Sequence, residues 1–295
     1  MKVRVAAAQY PIDPVASWAA YEVKIGQWVA EAAGEGAQLL LFPEYGAMEL
    51  ARIAAQEVWS HLQHSIDFVG DLRAKVDALH VALAKRHDVH IVASSLPQRD
   101  GGAAYNVARV VSPSGRIGEQ RKLMMTRFER EHWGISGGRE INVFETRVGM
   151  FGVAICYDAE FPLIARAMSD AGAAMIMVPS CTDSLHGYHR VRVGAQARAL
   201  ENQCYVVHSP TVGEALWSPA IDSNVGAAGV YGPPDLGFPD DGVVAQGRLN
   251  EVMWLYADLD LTAVTRVRLN GQVLNNKHWS EQPGAAALKA NVIEL

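Results

Sequence analysis

Two side chains stand where local chain geometry makes them candidates for chemistry, Cys156 and Glu44, and a third, Lys122, gains meaning only in their company. Cys156 lies in AICYDAEFP, where an apolar strand gives way to a helix started by Pro162. At such a junction a side chain sits at the sheet edge beside unpaired helix N–H groups, which lower a thiol pKa and can hold an oxyanion. The alternative for any cysteine is an inert buried thiol, and Cys204, opening CYVV, is read that way. Glu44 ends LLLFPE. A carboxylate directly after a buried strand is poorly solvated, and burial raises its pKa toward the range of a general base. The other reading of Glu44 is a surface glutamate capping a loop. Lys122 follows Arg121 in the polar stretch GEQRKL, where most lysines are merely solvated.

In order and spacing, FPE at 42–44, RKL at 121–123 and CYDAEFP at 156–162 together resemble the Glu–Lys–Cys signature of the nitrilase superfamily of carbon–nitrogen hydrolases. The similarity runs from AAAQY at 6–10 through ARALENQ at 197–203, and the combination is far more specific than any one motif. The resemblance implies a four-layer α-β-β-α sandwich with mixed sheets, paired across helices into a homodimer or higher homo-oligomer. It also implies a thioester mechanism. Cys156 attacks the carbon of a small amide or nitrile, Glu44 moves the proton, Lys122 stabilises the developing charge, and the backbone N–H of Tyr157 completes the oxyanion site. A thiolate is a strong nucleophile for a neutral amide only when a base and a fixed cation offset its cost.

Many family members carry a second glutamate beside the lysine, and two residues compete for that place. The run Thr126-x-x-Glu129-Arg130-x-x-Trp133-Gly134 resembles the nitrilase branch and selects Glu129, whereas Glu131 matches only a looser pattern. Cys156-Tyr157-Asp158, by contrast, is similar to the amidase branches rather than to the Cys–Trp–Glu of true nitrilases. Amide hydrolysis is the expected activity, with nitrile or N-carbamoyl hydrolysis, acyl transfer to an amine, and a non-catalytic binding protein as alternatives.

Other constellations carry less. GISGG at 134–138 matches the G-x-S-x-G pattern of serine hydrolases, but EREHW before it and INVFET after it deny Ser136 the strand–helix context that motif needs. Cys181, His186 and His189 have no accompanying CxxC or HExxH, so neither a metal nor another cofactor is expected. His186 and His189 are read instead as substrate-pocket residues, because SCTDSLHGYH follows a buried strand.

The elements that must position these groups alternate between strand and helix periods. KVRVAAAQY alternates as a half-buried strand, and Trp18, Tyr21, Ile25, Val29 and Ala32 then mark one helical face, with Asp13 as the expected cap. AQLLLF, HIVASSL, FGVAICYD, AAMIMVPS, CYVVHSP and VMWLYADLDL read as strands, and NVARVVSPSGRIGEQRKL as two joined by a turn at 112–115. Helices are expected over about 47–87, after Pro162, and through GYHRVRVGAQARALENQ, where Val191, Ala195 and Ala199 offer a small-residue face for a partner. Strands alternating with helices but interrupted by hairpins indicate layered α/β with a mixed sheet.

With 295 residues and aliphatic positions spread end to end, one domain over 1–295 is expected. A net charge of −6 argues against nucleic acid or an anionic membrane as partner. No apolar stretch reaches the roughly 20 residues of a membrane span. Three cysteines without dense spacing and no export-like N-terminus favour a reducing, cytoplasmic location.

Overall fold

The alternating N-terminal segment forms β1 (Lys2–Pro11), and its period of two decides what each side chain meets. Val3, Val5 and Ala7 point into one apolar cluster, Ala6, Ala8 and Tyr10 into another. The computed structural model describes residues 1–284, so positions 285–295 of the expected 1–295 unit lie outside the described residues. After β1 come α1 (Trp18–Gly34), β2 (Leu39–Leu41), α2 (Gln56–Trp59), α3 (Leu62–Asp71), α4 (Arg73–His87), β3 (His90–Asp100), β4 (Ala103–Val111) and β5 (Ile117–Arg121). The chain continues through β6 (Ile135–Ser136), β7 (Val143–Thr146), β8 (Gly149–Val153), α5 (Pro162–Asp170), β9 (Met175–Ser180), α6 (Leu185–Asn202) and β10 (Tyr205–Glu214). It continues with β11 (Ser223–Asn224), β12 (Gly229–Tyr231), β13 (Val243–Gln246), β14 (Met253–Asp260), α7 (Leu261–Asn270) and the short α8 (Asn275–His278).

Two mixed β layers result. One runs β14-β1-β2-β3-β4-β5, parallel at β1–β2 and β2–β3 and antiparallel at β1–β14, β3–β4 and β4–β5. The other runs β7-β8-β9-β10-β12-β13, with β8–β9 and β9–β10 parallel. The layers meet edge to edge where Tyr10 and Pro11 of β1 pair with Thr211 and Val212 of β10. Val3, Val5 and Ala7 of β1 share a core with Phe151, Val153, Ile176 and Val178 across the inter-sheet space. The outer face of the first layer, with Ala6, Ala8, Leu40 and Ile91, is covered by Tyr21, Ile25 and Val29 of α1 and Val76 and Leu83 of α4. Helices α5 and α6 cover the second layer, completing an α-β-β-α sandwich.

Three details depart from the sequence reading. Helix α1 is capped by Ser17, whose Oγ accepts from the Ala20 N–H at 3.2 Å. Asp13 is drawn instead to the Lys24 ammonium at 2.8 Å, its carbonyl accepts from the Val15 N–H at 2.8 Å in a tight turn, and the helix begins only after the extended Ser17. The helical region over 47–87 is broken into a 3-10 segment (Gly46–Ile53) and the three helices α2 to α4; Ser60 ends α2 by turning its hydroxyl back onto Gln56 O at 2.6 Å. Val191, Ala195 and Ala199 do not face outward: all three pack into the chain's own core, and Leu185, Val193 and Leu200 are the exposed apolar positions of α6. Small residues suit that inward face because α6 crosses the turn after β8 closely; a Cβ on Gly194 would lie 2.9 Å from Ala159 O. Among the described residues no helix is long and apolar enough to cross a membrane.

Candidate active site

Strand ends from both layers open into one cleft of about 750 Å³. The first layer supplies Glu44, three residues beyond β2, and Lys122, directly after β5. The second supplies Cys181, directly after β9, and Cys156, which opens a 3-10 turn (Cys156–Glu160) just past β8. Glu44, Lys122, Glu129, Cys156, Tyr157 and Cys181 all line the cleft.

A ladder of buried charges forms its floor. The Lys122 ammonium donates to Glu44 Oε1 at 2.7 Å and to Glu129 Oε2 at 2.6 Å. Glu44 is held further by the Asn106 amide (2.8 Å, to Oε1) and by the Cys181 backbone N–H (3.0 Å, to Oε2). Glu129 Oε2 accepts from both the backbone N–H and the hydroxyl of Thr126 at 2.9 Å, and its Oε1 from the Tyr45 hydroxyl at 2.9 Å. The lysine and both carboxylates are almost wholly buried, so these bonds act where water screens them little.

Burial and charge set each protonation state. Burial lifts the Glu44 carboxyl above its usual range, partly offset by the Lys122 charge and reinforced by Glu129. Burial opposes the charge on Lys122, yet Glu129 and Glu44 hold its pKa well above the ordinary lysine value. Glu129 is likewise pushed up by burial, but Lys122 and Thr126 bring it below its usual value. At Cys156 burial, and after it the Glu44 charge, push the thiol well above its ordinary value, against the pull of Lys122 and of the hydrogen bond to the Cys181 backbone. This corrects the expectation of a depressed thiol pKa. Burial of the thiol is the largest cause, and the Glu44 and Glu129 carboxylates add to it. The site therefore sets a thiol and a Glu44 carboxyl whose proton affinities are both raised beside a lysine held strongly to its proton.

Cys156 has φ = +51°, the left-handed region that a non-glycine residue enters only at a cost. Its thiol points at Cys181 O, 3.9 Å away. Tyr157 follows at the open end of the turn, where the first N–H groups have no partner within the turn. Its ring is edge-on to Phe161.

Glu131 lies outside this cluster. It is exposed and, among the described residues, paired only with the still more exposed Arg127, at 2.7 Å. His186 and His189 are also not brought to the cleft: both are exposed, and α6 presents Gly187, Arg190 and Val191 instead. With Ser184 as N-cap, 187, 190 and 191 fall on one helical face, and each histidine sits about 100° around from it. Ser136 lies in β6, paired alongside Tyr105 of β4 and away from the cleft. Sequence reasoning missed Tyr45, Asn106 and Thr126 as partners of the ladder, and Asp158, whose carboxylate is spent entirely on backbone N–H groups. Of these only Thr126 left a signal, standing three residues before Glu129 as a capping residue does.

Two stacked mixed sheets between helices, with a thiol, an ammonium and two carboxylates in one cleft, define the class: a four-layer α-β-β-α protein built around a cysteine. The chain belongs to the carbon-nitrogen hydrolase family, whose model matches residues 4–268. Among curated relatives, a probable hydrolase, YhcX, of Bacillus subtilis is 34% identical over 272 residues, covering 92% of this chain. The chain spans only 52% of the length of that relative. Nitrilase 3 of Arabidopsis thaliana is 29% identical (88% of this chain, 78% of the relative), and omega-amidase NIT2-B of Xenopus laevis 26% identical (90% and 92%). The fold is that of Nit3 from Saccharomyces cerevisiae, with TM-score 0.71 at 23% identity over 92% of this chain and 96% of that one.

Proposed function

We propose that the protein hydrolyses small non-peptide amides to a carboxylic acid and ammonia or amine, through a thioester on Cys156. The observation that carries this reading is the buried Glu44–Lys122–Glu129 ladder in the cleft that also holds the thiol. A thiol whose pKa is raised needs its proton removed as it attacks, and Glu44, with raised proton affinity, is the group to take it. Attack of Cys156 Sγ on the amide carbon places negative charge on the carbonyl oxygen. Lys122 Nζ and the Tyr157 N–H stabilise that charge, already fixed in place before reaction. As the C–N bond breaks, the proton held by Glu44 passes to the leaving nitrogen. Water then gives a proton to Glu44 and attacks the thioester, and the acid leaves as the proton returns to the thiol sulfur. Glu129 holds Lys122 charged and oriented throughout.

Amides are preferred to nitriles in this reading because Tyr157 and Asp158 follow the cysteine where nitrilases carry Trp and Glu. Incubation with a panel of short amides, with mass spectrometry of the protein, tests it: an adduct on Cys156 and ammonia release are expected, both absent in Cys156→Ala. A nitrile turned over clearly faster than its matching amide reverses the preference, and turnover by Cys156→Ala removes the mechanism. Two copies of the chain are proposed to pair across α5 and α6, supported by the exposed Leu163, Val193 and Leu200 on those helices. Light scattering reads that mass directly.

A further inference from the structure

Asp158 is wholly buried, lies two residues beyond Cys156, and among the described residues its carboxyl oxygens accept hydrogen bonds from backbone N–H groups alone. Its Oδ1 accepts from the backbone N–H groups of Leu123 at 3.1 Å and Met124 at 2.7 Å, the two residues directly after Lys122. Its Oδ2 accepts from the Leu123 N–H at 3.2 Å and from the Ile155 N–H at 3.1 Å, directly before Cys156. The Asp158 N–H returns a bond to Ile155 O at 3.0 Å. Ile155 and Asp158 thus close a reciprocal ring around Cys156, the residue forced to φ = +51°. The same carboxylate reaches across to the other β layer and grips the chain that carries the ammonium.

We infer that Asp158 is the positioning residue of this site, one carboxylate that fixes the strained nucleophile turn and the lysine segment relative to each other. This rests on the Cys156–Lys122 reading above. Lys122 is also gripped from its other side, where its carbonyl accepts from the Gly138 N–H at 2.7 Å and its N–H donates to Asn106 O at 2.8 Å. Those bonds tie it to its own layer. Asp158 alone among these partners joins it to the turn of the thiol.

Asn cannot replace the aspartate in either orientation. With its oxygen at the Oδ1 place, its NH2 faces the Ile155 N–H, donor against donor, and the nucleophile arm is lost. With its oxygen at the Oδ2 place, the NH2 faces the Met124 N–H, and the lysine arm loses its shortest bond and keeps only the 3.2 Å one from the Leu123 N–H. Misplacement of reacting groups by about 1 Å costs on the order of 10²-fold in rate.

The test is Asp158→Asn alongside Cys156→Ala, Lys122→Met and the Lys122→Met/Asp158→Asn double variant, on the best amide of the panel. Asp158→Asn is expected to lower kcat about 10²-fold with KM within about threefold, and to add less than about threefold in the Lys122→Met background, since a missing lysine cannot be misplaced. A kcat above one third of wild type, or a full additional loss on top of Lys122→Met, overturns the inference. Turnover by Cys156→Ala is a different failure, that of the thioester reading. If Asp158→Asn does not fold, Asp158→Glu keeps the carboxyl group but over-reaches by one methylene, and unchanged kcat there refutes positioning equally. Where no amide is turned over, the rate of Cys156 alkylation by iodoacetamide stands in. It should fall about tenfold in the folded variant as the thiol leaves Glu44, and an unchanged or faster rate overturns the proposal.

Discussion

Replacing Glu129 by glutamine removes one negative charge from the ladder while leaving its shape almost intact. Glutamine fits with its oxygen at the Oε2 place, still accepting from Lys122 and Thr126, and its NH2 at the Oε1 place, where the Tyr45 hydroxyl turns to accept. What is lost is the charge 2.6 Å from the ammonium. Lys122 then answers to Glu44 alone, is drawn toward it, and stabilises the developing oxyanion less. Loss of one preorganised electrostatic group costs about 10²–10³ in kcat, or about 2.7–4 kcal/mol. We expect that loss in Glu129→Gln, with KM little changed because the effect is on the transition state. Glu131→Gln, which breaks only an exposed pair with Arg127, should stay within about twofold of wild type. Steady-state kinetics on an amide substrate decides between them. An active Glu129→Gln beside a crippled Glu131→Gln would falsify the assignment of the supporting carboxylate. Since the Glu129 charge also raises the pKa of Glu44, the acid limb of kcat/KM should move to lower pH in Glu129→Gln.

In the wild type that limb reports Glu44: the carboxylate is the active form, burial raises its pKa, and activity is lost as pH falls through a midpoint above the ordinary value of about 4.5. A midpoint at or below that value, in a pH profile of kcat/KM, contradicts the burial argument. Burial raises all three thiols, so iodoacetamide should label Cys156 before Cys181 and Cys204 through its place in the cleft beside Glu44, which can take its proton; Glu44→Gln should slow Cys156 labelling alone, and equal labelling mapped by peptide mass spectrometry counts against it. His208 is buried against Ser180, and burial pulls its imidazole down to about 3. The unfolded chain takes up that proton near pH 6.5, so stability is level above 6.5 and falls as pH drops toward 3, by about 1.4 kcal/mol at pH 5.5. Urea midpoints at pH 7.5 and 5.5 should differ less in His208→Gln, and an equal difference removes His208 from the acid sensitivity.

Much of this arrangement is legible in the sequence because period and burial coincide. LLL at 39–41 and MIMVPS at 175–180 are continuous apolar runs and lie covered on both faces, and β1 alternates because two different cores face its two sides. Glu129 was readable because the run Thr126-x-x-Glu129-Arg130-x-x-Trp133-Gly134 resembles the nitrilase branch, and the Thr126 hydroxyl in that run does bond its carboxylate. Tyr45, Asn106 and Asp158 were not readable in these roles, since their partners lie 84, 62 and 34–35 residues away in sequence. His186 and His189 failed for a finer reason. The segment was placed correctly beside the cleft, but a shift of one residue turns a helical side chain by about 100°, and only the Ser184 cap fixes the register. The thiol failed through energetics: the junction was foreseen, but not the depth at which Glu44 meets it.

The two-layer origin of the cleft has a bearing on how the protein comes to life. Glu44 and its Cys181 partner are 137 residues apart, and neither β layer alone holds both the base and the thiol. Contacts so distant along the chain close late, after the loop entropy between them has been surrendered. On the proposed mechanism, a nascent or half-denatured chain therefore carries a cysteine without Glu44 beside it, and reactivity is expected to switch on only when the sheets dock. Catalytic competence is then a readout of the final cooperative step of folding, and on refolding it should lag behind the recovery of secondary structure.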